Sequence, residues 1–159
     1  MKRSREAQMR NQSSDTPPAE VAYQQALALA KKGRKAHAHR AVPLLRSAAD
    51  DGHAMAAHAL ATWYIHGIGM RKNFRAAVAL EEVAARAGIV EAMFNLAFAY
   101  ETGRGTDKDT TKALRLYRRA AAKGDRDAMY EVGRCVFYGI GTKKNERLGR
   151  KWIERSQLP

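Results

Sequence analysis

The chain has 159 residues, 45% apolar and 28% charged, with 29 Lys+Arg against 16 Asp+Glu, a net charge of +13 and a pI near 10.2. This length supports one domain with a sizeable core. The charge favours acidic partners (nucleic acid, an anionic surface or an acidic protein) and is silent on fold. Cys135 is the single cysteine, which excludes an intrachain disulfide and a cysteine zinc cluster and suits a reducing compartment. No stretch approaches the 18 apolar residues of a membrane span. The basic start carries no apolar run of secretory-signal length, so a cytoplasmic location is expected.

Residues 1–16 have no period and read as a flexible basic tail. From residue 17 to 51 a degenerate helical hairpin is expected. Pro17-Pro18-Ala19-Glu20 opens a helix over Val21 to Lys32. Gly33 marks its turn, and Ala41, Leu44, Leu45, Ala48 and Ala49 form the inner stripe of a second helix. Pro43 should fall within about the first turn of that helix, where it is tolerated.

Three clear units follow at 52–87, 88–123 and 124–159, each 36 residues long and free of insertions. Counting from Gly52, Gly88 and Gly124, an alanine recurs at position 4 (Ala56, Ala92, Ala128). Apolar residues recur at positions 8 and 12 (Leu60, Leu96, Val132; Tyr64, Tyr100, Val136). Such spacing gives one apolar helical face. Two glycines follow in every unit (Gly67 and Gly69, Gly103 and Gly105, Gly139 and Gly141), and glycine tolerates the left-handed dihedrals that end a helix. Asn73, Asp109 and Asn145 then stand ready to cap a second helix, whose inner stripe runs through Leu80, Leu116 and Trp152 to Ala84, Ala120 and Ser156. One hairpin cannot bury both faces, so neighbours must stack. The expected architecture is all-α: a right-handed α/α superhelix of about four helix-turn-helix repeats.

These residues resemble the Sel-one-like repeat, a relative of the tetratricopeptide repeat. Residues 92–124, AMFNLAFAYETGRGTDKDTTKALRLYRRAAAKG, follow its pattern at Ala92, Leu96, Tyr100, Gly103, Gly105, Asp109, Lys112, Ala113, Ala120, Ala121 and Gly124. They depart from it at Ala97, Thr106 and Leu116, where the family has glycine, valine and tryptophan. The other two units match less fully: Ala76 and Leu148 replace the lysine, and only Trp152 keeps the tryptophan. The resemblance implies an adaptor or scaffold, with first helices lining the concave side and second helices the convex side. The exported, disulfide-rich branch of the family does not fit a chain with one cysteine.

No catalytic constellation emerges. Gly67-Ile68-Gly69 has neither a third glycine nor a Gly-Lys-Ser/Thr, so it reads as a turn rather than a phosphate loop. His37 and His39 point to different faces, and His53, His58 and His66 lack the three- or four-residue spacing of a helical metal pair. His58 shares a column with Phe94 and Tyr130 and should pack as a ring between helices. Neither Ser-x-x-Lys nor Gly-x-Ser-x-Gly occurs. Cys135 lies next to the apolar face with no histidine expected beside it. Glu81-Glu82 read as a solvated face. No cofactor and no metal are expected, and the chain is not expected to be an enzyme.

Two candidate surfaces remain. On the first helices, positions beside the packing stripe should face the implied concave groove: Met55, Ala59, Thr62 and His66; Glu91, Asn95, Phe98 and Thr102; Asp127, Glu131, Arg134 and Tyr138. Exposed Phe98 and Tyr138 among Asn, Glu and Arg make the mixture a peptide groove uses. The expected partner is a protein or peptide, with the positive field favouring an acidic one.

The second surface is charge. The first-helix halves of the three clear units sum to −2, whereas the second-helix halves sum to +10. Lys112, Arg115, Arg118 and Arg119 crowd one second helix, and Lys143, Lys144, Arg147, Arg150 and Lys151 crowd the last. Such residues either keep a repeat protein soluble or meet phosphates. No exposed aromatics interleave them, since Tyr117 and Trp152 fall in inward columns, so base stacking is not expected. Nucleic acid or another anionic surface is the alternative partner.

Overall fold

Asn73, Asp109 and Asn145 each accept a hydrogen bond from the backbone amide three residues on, that of Ala76, Lys112 and Leu148, at 3.0, 2.9 and 2.9 Å. Each side chain satisfies an amide that the helix itself leaves free, and each marks the start of a second helix. The computed structural model describes residues 16–158, so the expected tail lies, but for Thr16, outside the described residues. Among the described residues there are eight α-helices and no strand. They are α1 Pro18–Lys31, α2 Ala38–Asp50, α3 Ala54–His66, α4 Phe74–Arg86, α5 Val90–Thr102, α6 Thr110–Ala122, α7 Arg126–Tyr138 and α8 Glu146–Gln157. Each helix packs chiefly against the helices before and after it in the chain, which makes four hairpins in a row, an α/α-solenoid.

Small residues set the spacing between helices. Ala41, Ala48, Ala56, Ala57, Ala61, Ala84, Ala92, Ala97, Ala120 and Ala128 are all fully enclosed. Larger apolar side chains, among them Leu45, Leu60, Met93, Leu114 and Val132, fill the space between. Two core clusters result, and Ala49 and Leu80 touch both, so one core runs the length of the stack.

The two turn glycines do different work. Gly67, Gly103 and Gly139 end α3, α5 and α7 in the left-handed conformation, with φ of 69°, 75° and 79°. The second glycine of each pair is also a contact point between hairpins. A Cβ on Gly105 would collide with the Phe74 carbonyl at the start of α4, and one on Gly141 with the Thr110 carbonyl at the start of α6.

The degenerate unit departs from expectation at Pro43. Helix α2 begins at Ala38, so Pro43 is its sixth residue and stands in the helix interior rather than in the first turn. The helix starts at the same register position as Phe74, Thr110 and Glu146, although its cap residue is His37, without a side-chain cap bond, where the others have Asn or Asp. Counted from that start, position 43 falls in the second turn. Pro43 lacks an amide hydrogen to give to the carbonyl four residues back.

Candidate functional site

On the first-helix side, between the second and third hairpins, lies a cleft of about 260 Å³. Helix α3 contributes Thr62, Ile65 and His66 to it; α4 contributes Phe74, Val78 and Glu81; α5 contributes Phe94, Asn95 and Phe98; and Arg104 reaches in from the turn after α5. Four expected groove residues (Thr62, His66, Asn95 and Phe98) therefore converge on one concavity. Phe98 is 47% exposed and Tyr138, one repeat and about one helical turn further, 66%. Aromatic rings this exposed are absent from the packed core and present the side chains that anchor partners at interfaces.

The cleft's floor is a buried carboxylate. Glu81 is 2% exposed, and it accepts from Asn95 Nδ2 and from His58 Nδ1, both at 2.9 Å. A carboxylate only accepts, so the His58 proton sits on Nδ1. The hydrogen bond to Glu81 raises the His58 pKa against the opposing pull of burial. The expectation of a solvated Glu81-Glu82 face is thus corrected: Glu81 shares its column with Tyr117 and Ile153 and points inward, and half-buried Glu82 accepts from the Tyr100 hydroxyl at 2.8 Å. His58 does sit between helices, as an ion-pairing ring rather than an apolar one.

The rest of the expected groove set divides. Glu91 and Asp127 are exposed, and neither makes an ion pair among the described residues. Glu131 and Arg134 are engaged with each other and with Glu101. Arg134 gives Nε to Glu131 at 2.6 Å and Nη2 to both oxygens of Glu101 at 2.6 and 2.7 Å. The Tyr117 hydroxyl also reaches Glu101, at 3.2 Å. Burial opposes the Arg134 charge, but its bonds to the two carboxylates prevail and hold its pKa above the ordinary value. This cluster ties α5, α6 and α7 together and leaves Arg134 few donors for a partner. The hydroxyls of Thr62 and Thr102 turn back to carbonyls of their own helices, those of His58 and Phe98.

Arg104 is the residue that sequence reasoning missed. Its register counterparts are Ile68, which is buried, and Ile140, which packs on the core. At Arg104 the same position carries a guanidinium, 4.0 Å above the ring of Phe74. An arginine where the other two clear repeats carry isoleucine was the available signal.

Every residue of the expected basic ridge is exposed: Lys112, Arg115, Arg118 and Arg119 on α6, and Lys143, Lys144, Arg147, Arg150 and Lys151 on and just before α8. Lys112 pairs with Asp109, and Lys144 and Arg150 with Glu146, while Arg119 reaches the Ala85 carbonyl at 3.4 Å. Arg115, Arg118, Lys143, Arg147 and Lys151 form no ion pair among the described residues. Tyr117 is buried and Trp152 half-buried. Cys135 is fully enclosed, and burial pushes its thiol up to about 11. No group of three or more His, Cys, Asp or Glu among the described residues is placed to hold a metal ion, and no described helix is long and apolar enough to cross a membrane.

A family model described as the Sel1 repeat matches residues 54–89, 90–125 and 126–156. No curated protein matches the sequence. Among solved structures, the chain resembles a Sel1 repeat protein from Oxalobacter formigenes at 27% identity and a TM-score of 0.79, covering 87% of this chain and 57% of that one. It also resembles c5321, a protective antigen of uropathogenic Escherichia coli with an SLR fold, at 22% identity and a TM-score of 0.81, over 94% and 32% of the two chains. The immunity protein Pa5087 from Pseudomonas aeruginosa is similar at 22% identity and a TM-score of 0.58, over 89% and 53%. The chain thus spans between about a third and three-fifths of the length of these proteins.

Proposed function

The chain belongs to the Sel1 repeat family, whose members generally serve as protein–protein interaction scaffolds, and from that premise we propose that it is a non-enzymatic adaptor holding a peptide or protein segment against its first-helix face. The observation that carries this reading is the cleft between α3, α4 and α5, walled by Phe74, Phe94 and the exposed Phe98. A concave, largely apolar site with a few convergent polar groups is what binding sites are made of. Here the polar groups are His66, Asn95 and Arg104. Tyr138 extends the surface one repeat further. In this family's geometry that face is the concave one, and the groove would run across successive first helices. The net charge of +13 speeds encounter with an acidic partner, and the lone, buried thiol suits a cytoplasmic setting.

A second reading has its own observation. Five cations of the second-helix ridge (Arg115, Arg118, Lys143, Arg147 and Lys151) are exposed and unpaired among the described residues, so they are free to neutralise phosphates on nucleic acid or an anionic surface. The two readings part on salt and on aromatic truncation. Affinity capture is compared for the native chain, Phe98→Ala and Tyr138→Ala, with and without nuclease, at two salt concentrations. The groove reading expects a protein partner that survives nuclease and is lost with either aromatic. A nuclease-sensitive partner that falls steeply with salt and ignores both substitutions would replace it with the ridge reading.

A further inference from the structure

The position between the two turn glycines is occupied by an apolar plug in two of the three clear hairpins. Ile68 is buried at the joint between the first and second hairpins, and Ile140 packs on the core at the joint between the third and fourth. At the remaining joint the same position is Arg104. Its backbone is fixed like theirs: the amide donates to the Ala99 carbonyl at 3.0 Å, as those of Ile68 and Ile140 donate to Trp63 and Cys135. Its side chain cannot be buried unpaired, so it sits over the Phe74 ring at the cleft's edge, Cζ 4.0 Å from the centroid.

Two consequences follow from this one replacement. The joint is left open, as the cleft that Ile65, Phe74, Val78 and Phe98 line. The guanidinium at its rim stays exposed, and among the described residues no carboxylate or carbonyl accepts from it. Its planar fork of donors, held over a ring, matches a carboxylate. The cleft's own carboxylate, Glu81, is engaged on the floor by Asn95 and His58 and makes no ion pair with Arg104 among the described residues.

We infer that the cleft takes a large apolar side chain of a bound peptide and that Arg104 pairs with a carboxylate beside that anchor. The ligand class is an extended segment with a Leu- or Phe-like residue next to Asp or Glu. Charge complementarity also sets its direction. Glu91 and Asp127, exposed and unpaired on the starts of α5 and α7, repel an acid there, so the carboxylate lies at the Arg104 end. The inference rests on the groove reading and adds to it the chemistry of the occupant.

The test uses three acetylated, amidated Gly/Ser octapeptides with a central Leu-Glu, Leu-Gln or Ala-Glu, titrated into the full chain and followed by amide chemical shifts. The Leu-Glu peptide should perturb α3, α5 and the turn at 103–105 and bind roughly fivefold more tightly than Leu-Gln, and Ala-Glu should leave the cleft unperturbed. Arg104→Gln should erase the preference for Glu, and Arg104→Ile, which restores the plug, should abolish binding of both Leu peptides without loss of fold. Equal affinities of Leu-Glu and Leu-Gln for the native chain would overturn the inference and leave the groove reading standing. Binding that survives Arg104→Ile would show that the cleft is not the site. If no peptide perturbs these helices, the inference falls, and the capture comparison of Phe98→Ala and Tyr138→Ala decides the groove reading separately.

Discussion

His58 donates to Glu81 at 2.9 Å across α3 and α4, and one repeat later the same two register positions hold Phe94 against Tyr117, ring centroids 5.4 Å apart. One joint therefore exists in a polar and an aromatic version. Removing one partner of a buried pair strands the other, whereas replacing both by apolar groups can be neutral. His58→Phe alone should cost about 1–3 kcal/mol, because Glu81 loses a donor. The double variant His58→Phe/Glu81→Phe should recover most of that. Urea unfolding of the single and double variants measures the coupling, and strict additivity would contradict the account.

The same pair gives the fold a pH dependence of definite sign. His58 has its pKa raised above the ordinary 6.5 by Glu81. A proton held more tightly in the folded than in the unfolded chain stabilises the fold fully below the unfolded value and ceases to do so as pH rises through the folded one. The stability difference between the native chain and His58→Gln should shrink as pH rises above 6.5. Urea midpoints across that range check it, and a difference that grows with pH would contradict it.

The last hairpin is packed through two glycines. Gly133 and Gly149 stand where the earlier clear hairpins have alanines (Ala61 and Ala97, Ala77 and Ala113). A Cβ on Gly149 would lie 2.6 Å from the Phe137 Cβ, and one on Gly133 2.7 Å from Ile153 Cγ1. Alanine ordinarily favours a helix interior over glycine, so overpacking and propensity oppose each other here. A contact this close to backbone wins, and Gly149→Ala should destabilise by about 1–3 kcal/mol. A gain in melting temperature would show that the hairpin opens readily.

Cys135 should be inert in the folded chain. It is fully enclosed and its thiol is pushed up to about 11 by burial, so at neutral pH it offers neither access nor thiolate. Reaction with a disulfide reagent should follow unfolding and accelerate in urea. Rapid labelling of the native chain would refute the packing described for α7.

Much of this was legible in the residues themselves. The 36-residue register places all three Asx caps and all three αL glycines, because those features depend on local backbone chemistry that a side chain announces. The first-helix residues Thr62, His66, Asn95 and Phe98 were legible as a group for the same reason: position in the register fixes which face a residue occupies. What escaped were residues whose type contradicts their column. Glu81 looks solvent-seeking beside Glu82, yet the other repeats put Leu45, Tyr117 and Ile153 in its column; Arg104 looks like an ordinary loop cation, yet the other two clear repeats put isoleucine there. Pro43 was legible too: carrying the register back 36 residues from Phe74 starts that helix at Ala38 and puts Pro43 in its second turn. The pairing of Arg134 with Glu101 and Glu131 joins neighbouring repeats, and no single-repeat pattern contains it.

The most direct test of groove binding is photocrosslinking in cells with benzoylphenylalanine placed once at Phe98 and once at Arg147. The account predicts one dominant crosslinked protein from position 98, the same protein much weaker or missing from position 147, and loss of the adduct when Tyr138→Ala is added. Efficient crosslinking to nucleic acid or to many proteins from position 147, with none from position 98, would contradict it and move the binding surface to the second-helix ridge.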